Sequence, residues 1–207
     1  MLYIAHYESP LGPITLASDE EALIGLWFDG QKYDRDAIKG MEYLDCGSIS
    51  SNQLHDGQIK ESVDTGHEST LEAATLDAEN QEIGEASRIF GEAKRWLDLY
   101  FEGSAPGFLP PIRPSGSEFR CMVADIMLGI PYGQVMTYGE IAREAAKRLG
   151  KKSMSAQAVG GAVGHNSISL MIPCHRVIGT SGSLTGYAGG IDKKIWLLEH
   201  EGVRKDK

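Results

Sequence analysis

The chain has 207 residues, 42% of them hydrophobic and 24% charged, enough for a buried core in one or two domains. Its three cysteines have no paired spacing, which argues against a disulfide framework or a zinc finger, and no stretch reaches the ~18 apolar residues of a membrane span. The formal charge of -9 disfavours nucleic acid as a partner of the whole surface, but it is unevenly spread: residues 1–130 carry 9 Lys/Arg against 23 Asp/Glu, and residues 131–207 carry 11 against 6. An anionic ligand approaching the C-terminal part is compatible with that asymmetry, as is a merely solvated basic surface. No basic, apolar leader opens the sequence, so a cytoplasmic protein is expected, with no membrane partner.

Residues 2–7 (LYIAHY), 14–18 (ITLAS) and 22–28 (ALIGLWF) are short β-branched or aromatic runs separated by turn residues, and they predict an antiparallel meander. From 34 to 81 the chain becomes polar, acidic and Gly/Ser-containing, the pattern of a long insertion or mobile loop with short helical pieces. Cys46, His55 and His67 lie in that segment, but their spacing fits no metal template, and surface positions are expected. No metal and no cofactor is expected. Residues 82–101 space Ile83, Ala86, Ile89, Phe90, Ala93, Leu97 and Tyr100 at helical intervals, predicting one amphipathic helix. The proline-rich GSAPGFLPPIRP over 103–114 cannot continue it, which predicts an N-terminal α/β domain over 1–110 and a helical domain over 111–207.

In the second half, Ser115-Gly116-Ser117-Glu118 has the pattern of a capping box before a helix carrying Phe119, Met122, Val123, Ile126 and Met127. Thr137-Tyr138-Gly139-Glu140 is a second box, opening a helix that stops at Gly150. After Lys151 and Lys152, Ser153 or Ser155 caps a third helix through Gln157-Ala158-Val159-Gly160-Gly161-Ala162-Val163, which completes a helix-turn-helix candidate. Each glycine weakens that helix by up to ~1 kcal/mol relative to alanine. Close approach of another surface, a protein core or a nucleic-acid groove, would offset the cost. Further on, the glycine-rich stretch 179–190 lacks the order of a phosphate loop and reads as a flexible wall around a pocket, and Asp192 is placed to cap a last helix.

Chemistry concentrates at Pro173-Cys174-His175-Arg176-Val177, which follows the strand-like apolar run Ile168-Ser169-Leu170-Met171-Ile172. A cysteine acts as a nucleophile when thiolate, and a neighbouring histidine can take its proton. Taken together, PCHRV, the helix-turn-helix ending AVGGAVGHN, and TGYAGG followed by WLLEHEG resemble the O6-alkylguanine-DNA alkyltransferases, closely over residues 115–202 and loosely before them.

The resemblance implies a ribonuclease-H-like N-terminal sheet domain beside a helical DNA-binding domain, an α/β (α+β) chain acting as a monomer on double-stranded DNA that contains alkylated guanine. It implies stoichiometric transfer of an alkyl group from guanine O6 to Cys174, with O4-alkylthymine left open as a second substrate. His175 becomes the base, reached through a water, Glu201 the carboxylate that orients it, and Asn166 a brace. Tyr138 becomes the proton donor to the departing base. The recognition helix enters the minor groove through Ala158, Gly160 and Gly161, and the target nucleotide is flipped into a pocket bounded by Tyr187, the backbone of Ala188, and the main chain at Cys174 and Val177. Lys151, Lys152 and Arg176 are counted with the DNA-binding residues. Where the family commonly has arginine to fill the gap left by the flipped base, this chain has Gln157, uncharged and a poorer stacker, which predicts weaker duplex binding.

The competing readings are a non-enzymatic damage sensor, whose relatives replace the reactive cysteine, a helix-turn-helix regulator, which would need polar side chains on its recognition helix, and a Cys-His hydrolase, for which no further motif is found. Displacement at an alkyl carbon calls for a soft, strong nucleophile, and the paired thiol meets that need.

Overall fold

The computed structural model describes residues 1–49 and 70–203. Strands β1 (Tyr3–Ser9), β2 (Gly12–Ser18) and β3 (Leu23–Phe28) form the expected meander, with Ser9 opposite Gly12 across a tight hairpin and Ile14 opposite Phe28. A fourth strand, β4 (Leu44–Ser48), falls inside the segment expected as a loop and pairs parallel to β1, giving the order β3-β2-β1-β4. Its side chains are all exposed, so no hydrophobic alternation announced it. A short 3-10 turn at Asp36–Ile38 also lies in that segment, and residues 50–69, with His55 and His67, lie outside the described residues.

Two-residue periodicity divides the sheet's side chains between two clusters. Tyr3, Ala5, Tyr7, Ile14, Leu16 and Phe28 join the main core, whereas Ile4, Ala17 and Trp27 pack with Leu2 and Ile38 in a smaller one. Helix α1 (Thr70–Phe101) contributes Ala86, Ile89, Phe90, Ala93, Trp96, Leu97 and Tyr100 to the main core. It begins at Thr70, earlier than residue 82, where the apolar stripe that predicts it starts.

The two halves share one continuous core. The outer edge of β3 is covered by the second half: Leu23 N donates to Pro111 O at 2.8 Å, Leu26 N to Ser167 O at 2.9 Å, and Ser169 N to Leu26 O at 2.8 Å. This pairing protects an edge that would otherwise present unpaired backbone groups. Beyond the connector come α2 (Glu118–Leu128), β5 (Met136–Thr137), α3 (Tyr138–Arg148), α4 (Ala156–Gly164), β6 (Val177–Ile178) and α5 (Ile191–His200), with β5 and β6 paired parallel.

The caps confirm part of the sequence reading. Thr137 and Glu140 form a complete capping box, with Thr137 N donating to Glu140 Oε2 at 2.7 Å and Glu140 N to Thr137 Oγ1 at 3.2 Å. The cap of α2 is Ser117, not Ser115: its hydroxyl accepts from Arg120 N. Ser155 caps α4, and Gly190 occupies the cap of α5, with Asp192 inside the first turn. The run 168–172 is not a strand. Ile168 bridges to Leu26, and Leu170 adopts a left-handed conformation with φ 68° in a turn.

Candidate active site

Asn166 folds that turn onto the cysteine. Its Oδ1 accepts from Ile168 N at 3.1 Å, and its Nδ2 donates to Ile172 O at 2.8 Å and to Cys174 Sγ at 3.1 Å. Cys174 opens a single 3-10 turn, Cys174–Arg176, and is only 3% exposed. Burial pushes its pKa up, while the Asn166 hydrogen bond and the charge of Lys194 pull it down. The net direction is upward. The resting sulfur is therefore a thiol, and its activation calls for a base.

His175, the next residue, is fully buried. Its Nε2 donates to Glu201 Oε1 at 2.6 Å, and its Nδ1 has no hydrogen-bond partner among the described residues. Burial lowers the imidazole's pKa against the pull of Glu201, with Arg176 and Lys194 adding to the lowering. A neutral ring with its proton on Nε2 and a bare Nδ1 is the form that accepts a proton.

Glu201 follows α5 and is buried among five donors. Oε1 receives His175 Nε2, Tyr100 Oη at 2.8 Å and Arg176 Nη2 at 3.0 Å; Oε2 receives Arg176 Nε at 2.8 Å and the backbone N of Gly133 at 3.1 Å. Burial alone would raise its pKa, but the hydrogen bonds and charges of His175 and Arg176 overcome that and hold it at about 2. Gly133 has to be glycine here: its φ is 72°, and a Cβ would lie 2.9 Å from Glu201 O.

Around this relay stand three further groups. Tyr138, first residue of α3, places its hydroxyl 3.1 Å from the carbonyls of both Thr185 and Gly186, tying the helix-turn-helix to the glycine-rich loop. Tyr187 turns its hydroxyl into the interior, where it has no hydrogen-bond partner among the described residues. A Cβ on Gly189 would lie 2.8 Å from the Tyr187 ring, so glycine lets the loop fold against it. Lys194, 0% exposed, donates to the carbonyl of Val177 and, at 3.4 Å, to that of Thr185. Burial brings its pKa down to about 8 against the opposing influence of Cys174.

The structure thus gathers Cys174, His175, Glu201, Asn166, Tyr138 and Tyr187 in one region, together with Val177, buried on β6, and Ala188, whose carbonyl accepts from Lys32 N at 2.9 Å. On α4, Val159, Ala162 and Val163 point into the core, whereas Gln157, Ala158 and Gly161 are exposed and Gly160 is half-buried near the Tyr138 ring. Lys151 and Lys152 are exposed in the turn before it. Arg176 departs from expectation. Counted from the sequence as a DNA-binding residue, it is buried, paired with Glu201 and donating to Ile130 O at 2.6 Å, so its guanidinium is committed to the interior. Tyr100, Gly133 and Lys194 were not singled out. Only Lys194 left a signal, a charge on the apolar stripe it shares with Leu197 and Leu198. No group of three or more metal-ligating side chains is found among the described residues.

Two family models match this chain: the ribonuclease-like domain of 6-O-methylguanine DNA methyltransferase over residues 2–112, and the DNA-binding domain of the same family over residues 118–203. The chain belongs to the 6-O-methylguanine DNA methyltransferase family. Among its relatives in that family, the methylated-DNA–protein-cysteine methyltransferase of Methanosarcina acetivorans is 37% identical over 201 residues, 97% of this chain and 99% of that protein. The protein of the same name from Methanosarcina barkeri is 33% identical over 200 residues, 97% of each chain. In three dimensions the family likeness extends to the Mycobacterium tuberculosis OGT solved in complex with DNA, with a TM-score of 0.67 and 30% identity over 96% of this chain and 92% of that one.

Proposed function

We propose that this protein repairs DNA by direct transfer of an alkyl group from guanine O6 to Cys174, one turnover per molecule. The observation that carries the reading is the buried His175, its Nε2 hydrogen-bonded to Glu201 and its Nδ1 without a partner among the described residues, next in sequence to a buried thiol. His175 Nδ1 takes the Cys174 proton through a water. The thiolate attacks the alkyl carbon, an S–C bond forms, and the C–O6 bond breaks with its electron pair left on the guanine. The base leaves as an anion, so it needs a proton; Tyr138, beside the site, donates it and recovers one from the imidazolium by exchange with solvent. No step restores the thiol, and the S-alkylcysteine is the end product.

Reaching O6 within a duplex requires flipping the nucleotide, at a cost of a few kcal/mol. The exposed Ala158 and Gly161 of α4 support close approach to the minor groove, with Gln157 at the gap and Lys151 and Lys152 near phosphates. A monomer, needing no cofactor, is sufficient for this chemistry, and a cytoplasmic protein associated with the nucleoid when DNA-bound fits the role.

Intact-mass spectrometry after incubation with a duplex containing O6-methylguanine tests the reading. The expected result is one added methyl group, mapped to Cys174 and missing in Cys174→Ser. An unmodified native protein that still binds the duplex would instead identify a damage sensor.

A further inference from the structure

Tyr100 comes from the other half of the molecule. It ends the buried stripe of α1, yet its hydroxyl lies in the relay, donating to Glu201 Oε1 at 2.8 Å and standing 3.4 Å from His175 Nε2. The ring is immobilised: it stacks on Trp96 with centroids 5.3 Å apart, meets Phe101, Tyr132 and His175 edge-on, and its backbone carbonyl accepts from His200 Nε2 at 2.6 Å. We propose that Tyr100 is a positioning residue for alkyl transfer, sharing Oε1 of Glu201 with His175 so that the carboxylate orients the imidazole without drawing it into the protonated form.

A carboxylate oxygen divides its charge among the donors it accepts. With Tyr100 and Arg176 Nη2 on Oε1, less charge is available to His175, and the imidazolium is less stabilised. Removing the hydroxyl leaves a buried oxygen short of a donor and concentrates its charge on the Nε2 proton. The neutral base then disappears at a higher pH than before. The other groups facing this cluster are Arg176 and Cys174 of the 3-10 turn, Lys194 and His200 of α5, Tyr132 after α2, and Tyr187 of the glycine-rich loop; Tyr100→Phe alters none of these side chains. Through this contact the N-terminal half acts on the chemistry of the C-terminal half.

The inference rests on the transfer to Cys174 proposed above, and its test separates the two. Single-turnover transfer from an O6-methylguanine duplex is followed from roughly pH 5 to 9, around the ordinary histidine range, for the native protein, Tyr100→Phe and Tyr7→Phe. Tyr7, whose hydroxyl donates to Asp98 on α1 at 3.1 Å, controls for loss of a hydroxyl at the same helix away from the relay. In Tyr100→Phe the acid limb of the rate profile is expected to move up by about half a pH unit to one unit, a shift of the size one hydrogen bond produces. Tyr7→Phe keeps the native midpoint. A packing role alone would lower the plateau or the melting temperature and leave the midpoint where it was, and that outcome overturns the proposal. A nitrogen-15 NMR titration of His175 gives a second readout, independent of turnover: the native ring is expected neutral with its proton on Nε2 at neutral pH, and an imidazolium there overturns the proposal even if Tyr100→Phe does not fold. Native protein that transfers nothing at any pH overturns the alkyl-transfer reading, while the His175 titration compared between native protein and Tyr100→Phe still decides the role of Tyr100: a higher midpoint in the variant supports it and an unchanged one overturns it.

Discussion

Glu201 remains ionised inside the protein because donors replace the solvent that burial removes, and this has a consequence for stability in acid. Its pKa is about 2 in the folded chain against the ordinary 4.5, so its contribution is present above the unfolded value and is lost as pH falls through the folded one. At 1.36 kcal/mol per unit, a gap of this size is worth about 3 kcal/mol. Urea unfolding is expected to show stability declining from roughly pH 5 downward, and Glu201→Gln, already weaker at neutral pH because Arg176 loses its buried partner, is expected to flatten that decline. Undiminished acid dependence in the variant would assign it to other carboxylates. At this scale the sequence offered Cys174 and His175 as a candidate reactive pair, because they are adjacent. Asn166 and Glu201 were reached through the family resemblance, and Tyr100 was beyond reach: it is 101 positions from its partner, and its place on an apolar stripe reads as core.

Helix α4 has two faces, and its glycines belong to both. Gly160 lies against the Tyr138 ring, with a Cβ 3.9 Å from it, whereas a Cβ on Gly161 would meet nothing within 4 Å. Gly161→Ala is therefore expected to stabilise the folded protein by up to about 1 kcal/mol through helix propensity, yet weaken duplex binding by blocking the groove. Gln157→Arg, on the same exposed surface, is expected to tighten binding by restoring charge and stacking. Melting curves and duplex titrations of both variants check the pair; unchanged affinities would remove α4 from the interface. Legibility varied among elements for physical reasons. The Thr137 box was visible because both its members are local, and α1 was visible only along its apolar stripe. The run 168–172 misled because a continuous apolar segment looks the same whether it extends or turns, and tertiary contacts with Leu26 and Asn166 decide which.

The molecule as a whole is held by one core shared between halves, reinforced where β3 meets residues 111–113 and 167–169. Thermal unfolding followed by circular dichroism and by calorimetry is accordingly expected as one cooperative transition, with calorimetric and van't Hoff enthalpies in agreement. Two separated transitions would mean that the shared core does not couple the halves. The sequence suggested two units, since composition changes sharply at the proline-rich connector, and it could not reveal that side chains from both sides interlock across it. The three thiols of the molecule differ in access: Cys46 is exposed on the outer strand β4, Cys121 is partly covered, and Cys174 is buried. Cys174 is thus the sulfur that solvent barely reaches, and a small electrophile arriving by free diffusion finds it shielded by the fold.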